Sequence, residues 1–504
     1  MAWHPHPFLA SAVLALAGCA AVGPDYRAEP PPAPADWIRW RSASDAARDA
    51  APGEAATDTG RHLPEAWWTV FGDPVLDRLQ THAADAGPDL QTAALRLARS
   101  RLQRDIASAA AGPDLVAGAS ATRQRQSEYG AGTRLVDALS PDKRDALIDV
   151  LSAPFTLYQA GFDAAWELDL WGRVRRTVEA ADATVDAAAA TLDDVRLAIA
   201  ADVARGYFEL RSLRRQIALT RSAIDTGSDT LALIQARADG GLVDDTDVAR
   251  QRTLLADLRA RLPPLQAQET VTINRLGLLL GLRPGELDDA LAGADGAAAP
   301  LPDLALGLPS ELARRRPDIR AAEARLHAAT AGIGVAVADL YPRITLGVGA
   351  GFESFDADRF GDWGSRRWSI GPSLSLPIFD GGRRRATVAL RTLEQREAAI
   401  AYTQVVRGAW QDVDDALTAY AAEQRRNRDL QEKRHSADQA LALAQARYAG
   451  GLVDFLVELD AQRTSLDAQR ELAESDARLR VGYVAVCKAI GGGSPSSVTA
   501  ADAP

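Results

Sequence analysis

Asp412 and Asp415 stand three residues apart in the segment Ala409 to Leu417, so on a helix they share one face. Paired carboxylates can hold a cation, pass a proton or simply face water, and no thiol or imidazole lies close in sequence to commit them to catalysis. His4, His6, His62, His82, His327 and His435 are scattered without metal-ligand spacing. The chain carries no P-loop, no His-Glu-x-x-His and no nucleophile elbow. Gly347, Gly349 and Gly351 alternate as the small face of a strand does, and lack the spacing of a dinucleotide loop. Catalysis, a metal and a cofactor are therefore not expected. The formal charge of -11, with no basic stripe, likewise excludes nucleic acid as a partner.

One residue does point to covalent chemistry. The first eighteen positions hold no Lys, Arg, Asp or Glu, and an apolar run ends in Leu16-Ala17-Gly18-Cys19. Too short to cross a bilayer as a helix, the run suits a signal peptide. Its ending resembles the bacterial lipobox, which makes Cys19 an acylated first residue, carrying diacylglycerol and palmitate-type chains, and predicts a lipid anchor. The n-region departs from the usual pattern in having no Arg or Lys. Residues 1–18 are thus expected to be removed, and residues 19–62, rich in Pro and Ala beyond Gly23-Pro24-Asp25-Tyr26, to form an extended linker. Residues 491–504, rich in Gly, Ser and Ala, read as a flexible tail. With Cys19 acylated, Cys487 has no disulfide partner and reads as a small apolar helix residue.

The elements that must position these residues come from a duplication. Gln235 to Asp244, QARADGGLVD, returns as QARYAGGLVD at Gln445 to Asp454. Other landmarks recur in the same order: Pro88-Asp89-Leu90 with Pro317-Asp318-Ile319, and WELDLWGR at 166 to 173 with LPIFDGGR at 376 to 383. Residues 63–300 and 301–490 therefore read as two structural repeats. The first holds an insertion, Ser127 to Ser152, expected as a long loop. Val174, Val178, Ala181, Val185, Ala188, Leu192, Val195 and Ile199 keep a four-three rhythm that Leu210, Leu213, Ile217, Thr220 and Ile224 resume, a coiled-coil seam. It predicts a helix from Arg173 to Asp239, roughly 100 Å long at about 1.5 Å per residue, with a partner from about Thr246 to Leu280. The second repeat predicts the same pair, Arg383 to Ala449 and Phe455 to Ala489.

Each repeated decapeptide then turns a helical hairpin. Gly240-Gly241 and Gly450-Gly451 end one helix, and Asp244 or Asp245 and Asp454 cap the next. Those roles leave Leu242, Val243, Leu452 and Val453 as apolar residues on a tip, which marks a docking surface or a staple holding the hairpin to itself.

Four segments alternate with period two: about 115–126, 155–170, 343–355 and 367–378. In the third, Ile344, Leu346, Val348, Ala350 and Phe352 oppose Thr345, Gly347, Gly349 and Gly351; in the fourth, Trp368, Ile370, Leu374, Leu376 and Ile378 oppose Ser369, Gly371, Ser373 and Ser375. Such lengths suit membrane strands, and also a half-buried soluble sheet. If they are membrane strands, four cannot close a barrel and lipid tolerates no open edge, so three chains would supply twelve.

Together the lipobox followed by Gly-Pro-Asp-Tyr, WELDLWGR, LPSELARRRPDIRAAE at 308 to 323, LPIFDGGRRRA at 376 to 386 and KAIGGG at 488 to 493 resemble the outer membrane factor family, and within it the lipoproteins of the OprM and NodT type, relatives of TolC. The resemblance covers nearly the whole chain after Cys19. It implies a mostly α fold with membrane β: a TolC-like homotrimer whose twelve-stranded β-barrel continues as a long periplasmic coiled-coil α-barrel. It implies an exit duct in the Gram-negative outer membrane, passing drugs or other toxic small molecules from a tripartite efflux pump. Partners would be a periplasmic membrane-fusion adaptor and an inner-membrane transporter of the resistance-nodulation-division class, with no cofactor. It also implies that Asp412 and Asp415 form an acidic gate at the periplasmic end of the duct. Cys487, where an aromatic is common, and the insertion at 127–152 depart from the family pattern. A lipid-anchored coiled-coil scaffold without a pore, or the duct of a type I protein secretion system, would share several of these features.

Overall fold

The computed structural model describes residues 21–28, 64–130, 143–291, 301 and 315–493. Cys19, the signal segment, most of the predicted linker and the tail beyond residue 493 lie outside the described residues. The described chain divides into two compact units, and each takes material from both repeats. One holds the residues up to Arg27, Ser100–Val185 and Arg325–Ala398; the other holds the rest.

Among the described residues the helices are α1 (Pro74–Ala86), α2 (Pro88–Ala109), α3 (Arg144–Ser152), α4 (Arg173–Asp239), α5 (Asp245–Leu279), α6 (Pro317–Ala338), α7 (Arg383–Ala449) and α8 (Phe455–Ala489). Equivalent helices of the two repeats have equal lengths: α2 and α6 run 22 residues, α4 and α7 67, α5 and α8 35. None of the described helices is long and apolar enough to cross a membrane.

Four strands, β1 (Asp114–Gln124), β2 (Phe155–Leu168), β3 (Arg343–Ser354) and β4 (Arg366–Ser375), form one antiparallel sheet in that order. Two strand ends are corrected. β2 stops at Leu168, because the Asp169 carboxylate accepts the Val174 and Arg175 amides and caps α4 instead of extending the strand. β4 stops at Ser375, opposite Arg343 at the start of β3, so Leu376 and Ile378 lie beyond the ladder and Pro377 has no N–H to continue it. A third correction concerns the insertion. Its described end, Arg144–Ser152, is the helix α3 with Ile148 buried, since Ala146, Leu147, Ile148 and Leu151 give it an apolar face.

The coiled-coil seam is partly displaced as well. Val174, Leu192, Ile199, Leu210, Leu213, Ile217 and Thr220 are buried, but between them Ala183, Ala187 and Ala190 are buried while Ala181 and Ala188 are not. Alanine occurs on every face there, so the four-three rhythm fits more than one stripe. Where α4, α5, α7 and α8 meet the 3-10 turn Trp67–Phe71 and α1, a core forms around Trp67, Phe71, Leu76, Tyr207, Phe208, Tyr483 and Cys487. Cys487 is fully buried, and burial pushes its thiol far above the ordinary range.

Candidate functional site: an apolar sheet face, two hairpin tips and an acidic cavity

Register decides which strand residues share a face. Directly opposed partners point the same way, so the pairs Leu115↔Ala164, Phe162↔Ala350, Ala164↔Val348, Ala350↔Trp368, Val348↔Ile370 and Ile344↔Leu374 put one continuous apolar surface across all four strands. Trp368 is 74% exposed and Ile370 65% exposed on it. The opposite face carries Ser120, Gln159, Asp163, Glu353, Arg367, Ser369 and Ser373 beside Gly118, Gly347, Gly349 and Gly351. Hydrogen bonds join this polar face across strands: Gln159 Nε2 donates to Glu353 Oε2 at 2.6 Å, and Arg367 reaches the same oxygen at 3.6 Å. The sheet thus presents one bulky apolar face and one face of glycines beside polar and charged groups. Its lengths of 10 to 14 residues match strands that cross lipid.

The ends where strands join helices are braced by the WELDLWGR motif. Arg173 makes paired bonds to the Glu167 carboxylate at 2.9 and 2.7 Å, and Trp171 donates from its indole to the Pro342 carbonyl at 2.9 Å while stacking on Tyr341. In the second repeat Asp380 takes the capping part, accepting from the Gly382 and Arg384 amides.

Both decapeptides form the same turn. Gly241 and Gly451 sit at φ +70°, where a side chain would be strained, and the following amides return to the helix: Leu242 N to Arg237 O and Leu452 N to Arg447 O, each 2.9 Å. Gly240 and Gly450 precede them at the helix ends. The caps differ between copies. Asp244 accepts the Thr246 amide at 2.9 Å, and that bond with the Thr246 hydroxyl holds its carboxyl below the usual range. Asp454 makes no side-chain cap, so its expected role is corrected: the equivalent of Thr246 is Leu456, which has no hydroxyl to fix the carboxylate. The Leu-Val pair also divides. Leu242 and Leu452 are each 77% exposed. Val243 and Val453 are half-buried, and Val243 packs on a cluster of Ile234, Val248, Leu254, Leu258, Phe455 and Leu459. Val243 staples its hairpin, whereas both leucines are exposed.

Asp412 and Asp415 line a cavity of about 360 Å³ with Asp194, Arg316, Asp318 and Lys488. Arg316 makes two bonds to Asp318 at 3.0 and 2.7 Å and one to Asp412 at 2.9 Å. Burial works against the Arg316 charge, but the two carboxylates outweigh it and raise its pKa on balance. Asp415 is exposed and accepts from Gln411 Nε2 at 3.4 Å. Asp415 precedes the Gly450 turn by roughly 35 residues, so about 50 Å of helix separates them; the cavity lies beside the end of α8, away from the hairpin tips. Sequence reasoning missed Arg316, which no motif joined to Asp412.

The predicted linker is corrected at its start. Residues 21–27 are seated against α4 and α6 through Asp25, Tyr26, Arg176 and His327, because Arg176 offers a buried positive charge. Cys19 itself lies outside the described residues.

A four-stranded sheet with one continuous apolar face, on a chain that also forms two long helical hairpins, is a combination that known proteins share. The outer membrane efflux protein family model matches residues 80–282 and 308–492. The chain is 34% identical to the pyoverdine export outer membrane protein OpmQ of Pseudomonas putida, over 85% of this chain and 88% of that one. It is 33% identical to the toluene efflux pump outer membrane protein TtgF of Pseudomonas putida, over 95% of each. Among solved structures, the outer-membrane channel OprN superposes with a TM-score of 0.80 at 33% identity, covering 94% of this chain and 99% of that one. The Campylobacter jejuni CmeC channel, at 21% identity, shares the fold with a TM-score of 0.82. This chain belongs to the outer membrane efflux protein family, in its TolC-like OprM and NodT branch. It is an outer-membrane channel, mostly α-helical with a small sheet, and its family works by passive conduction rather than catalysis.

Proposed function

We propose that three copies of this chain close a twelve-stranded barrel continued by a helical duct, and that the trimer is the exit channel of a tripartite efflux pump. The observation that carries this is the sheet: its apolar face spans all four strands, while β1 and β4 each pair on one side only among the described residues. Lipid does not tolerate unpaired backbone at an edge, so β4 of one copy must meet β1 of the next. A pore-free scaffold has no use for such a face. The exposed leucines of the tips suit a periplasmic adaptor, with an inner-membrane transporter of the resistance-nodulation-division class beyond it. Cys19 anchors the chain in lipid, and Asp415, with Asp412 held by Arg316, contributes an acidic ring inside the duct. Relatives named for pyoverdine export and toluene efflux support small organic molecules as cargo.

The test is to purify the protein from outer membranes, determine its mass in detergent, and record single channels in planar bilayers. A heat-modifiable trimer with defined conductance is expected. A monomer, or a trimer without conductance, would refute the duct. Deleting the gene and profiling sensitivity to a compound panel then identifies the cargo.

A further inference from the structure

The segment that follows the acylation motif is built into the sheet-bearing unit, and this carries a consequence for the lipid anchor. The Val22 amide donates to the Trp171 carbonyl at 3.0 Å. Arg176, 4% exposed, donates through Nε to the Val22 carbonyl at 3.3 Å, through Nη2 to Asp25 Oδ1 at 2.5 Å and through Nη1 to Glu179 Oε2 at 2.8 Å. His327 Nε2 lies 3.0 Å from the other Glu179 oxygen, and the Tyr26 ring stacks on His327 with centroids 4.4 Å apart. The backbones are pressed together where side chains are missing. A Cβ on Gly23 would lie 2.5 Å from the Gly334 Cα, and one on Gly334 would lie 2.9 Å from the Arg176 side chain.

The seat has a defined place on the sheet. Trp171 follows shortly after β2, and the register puts Asp114 opposite Ala165, Leu168 opposite Ile344 and Arg343 opposite Ser375. All four strands therefore join their helices along one edge, and the seated segment meets that edge.

We infer that residues Ala21 to Arg27 form a clasp, with Arg176 as its positioning residue, that fixes the acylated chain end at the helix-side edge of the sheet. The inference rests on the reading of Cys19 as acylated. Two residue steps separate Cys19 from Ala21, a reach of about 7 Å. The acyl chains of Cys19 then enter lipid beside the apolar rim of Leu168, Ile344 and Leu374, and act as fixed lipid against the sheet instead of a tether on a free linker. One buried guanidinium holding two carboxylates and a carbonyl explains why lysine would not serve: an ammonium cannot present that planar fork.

The experiment places spin labels at Pro24→Cys and Asp114→Cys, with Cys487 buried and unreactive, in chains co-assembled with a large excess of unlabelled chains so that an oligomer holds at most one labelled copy, and measures their distance distribution in detergent-solubilised protein. It is done on the acylated protein and on the mature chain carrying Cys19→Ser. One narrow peak is expected in both. Arg176→Ala and Arg176→Lys should broaden it while helix content by circular dichroism stays unchanged. Tyr26→Ala, outside the buried pair, should broaden it partly and guards against an Arg176 variant that fails to fold. A broad distribution in the otherwise unsubstituted chain, an unchanged peak in both Arg176 variants, or a narrow peak only in the acylated form would each overturn the clasp. The mass of the amino-terminal peptide tests acylation separately: an unmodified Cys19 overturns the lipid part and leaves the clasp distances standing.

Discussion

Replacing Leu242 and Leu452 tests whether the hairpin tips dock a partner or merely turn the chain. Burying a whole leucine is worth about 1.5–3 kcal/mol, and each of these leaves 77% of its surface free for a partner. Covering that fraction is worth about 1–2 kcal/mol per tip, so Leu→Ala at one tip should weaken adaptor binding by about tenfold. The double Leu242→Ala, Leu452→Ala change should weaken it by about a hundredfold if the two tips act independently. Leu→Asp at both should abolish export, because a carboxylate would also have to be desolvated. The hairpins themselves should be indifferent, since neither side chain belongs to the tip cluster and the glycines that close the turns remain. Val243→Ala supplies the contrast: it removes contacts with the Ile234 cluster and should lower thermal stability instead. The assay pairs adaptor crosslinking at the tips with efflux of a fluorescent substrate in a deletion strain, and heat-modifiability reports assembly. Wild-type efflux and crosslinking by the double aspartate variant would refute docking and leave the decapeptide as a turn alone.

Other expectations follow from the sheet, the second tip and the cavity. Ile370→Lys places a charge on the apolar face at a cost of about 2–4 kcal/mol near the bilayer midplane, so the yield of membrane-inserted protein should fall; Ser369→Lys on the opposite face should insert normally, and equal yields would remove the lipid-facing assignment. Burial raises the Glu458 carboxyl above its ordinary pKa, with Arg237 partly opposing. A carboxyl raised by folding contributes stability only in acid and loses it as pH rises through the folded value. Glu458→Gln should therefore raise the thermal midpoint at pH 7, with the gain vanishing in acid; a lower midpoint at pH 7 contradicts the sign. Asp415→Ala should raise single-channel conductance or lower cation preference, and planar-bilayer values unchanged in both respects would end its assignment to an acidic ring.

Much of this channel is legible in the chain itself, because its signals are periodic and local. Helices of 67 and 35 residues are written as long apolar rhythms between glycine turns, and the four strands as alternation with period two. Duplication makes each landmark visible twice. The apolar face of the sheet is likewise assignable in β3 and β4, since a one-residue slip would mix their glycines and serines into it.

What only the tertiary structure decided are the contacts between segments distant in sequence. Arg316 holding Asp412, and Arg176 holding Asp25, join positions that no spacing rule connects, as a charge selects its partner through space and burial. The stripe of alanines that α4 buries was open for a related reason: alanine fits any face, so packing chose it. The same holds at the tips, where the sequence offers Leu-Val twice as one apolar pair. Folding turned Val243 onto the hairpin cluster and left Leu242 and Leu452 in the open, because consecutive side chains after the glycine turn point in different directions.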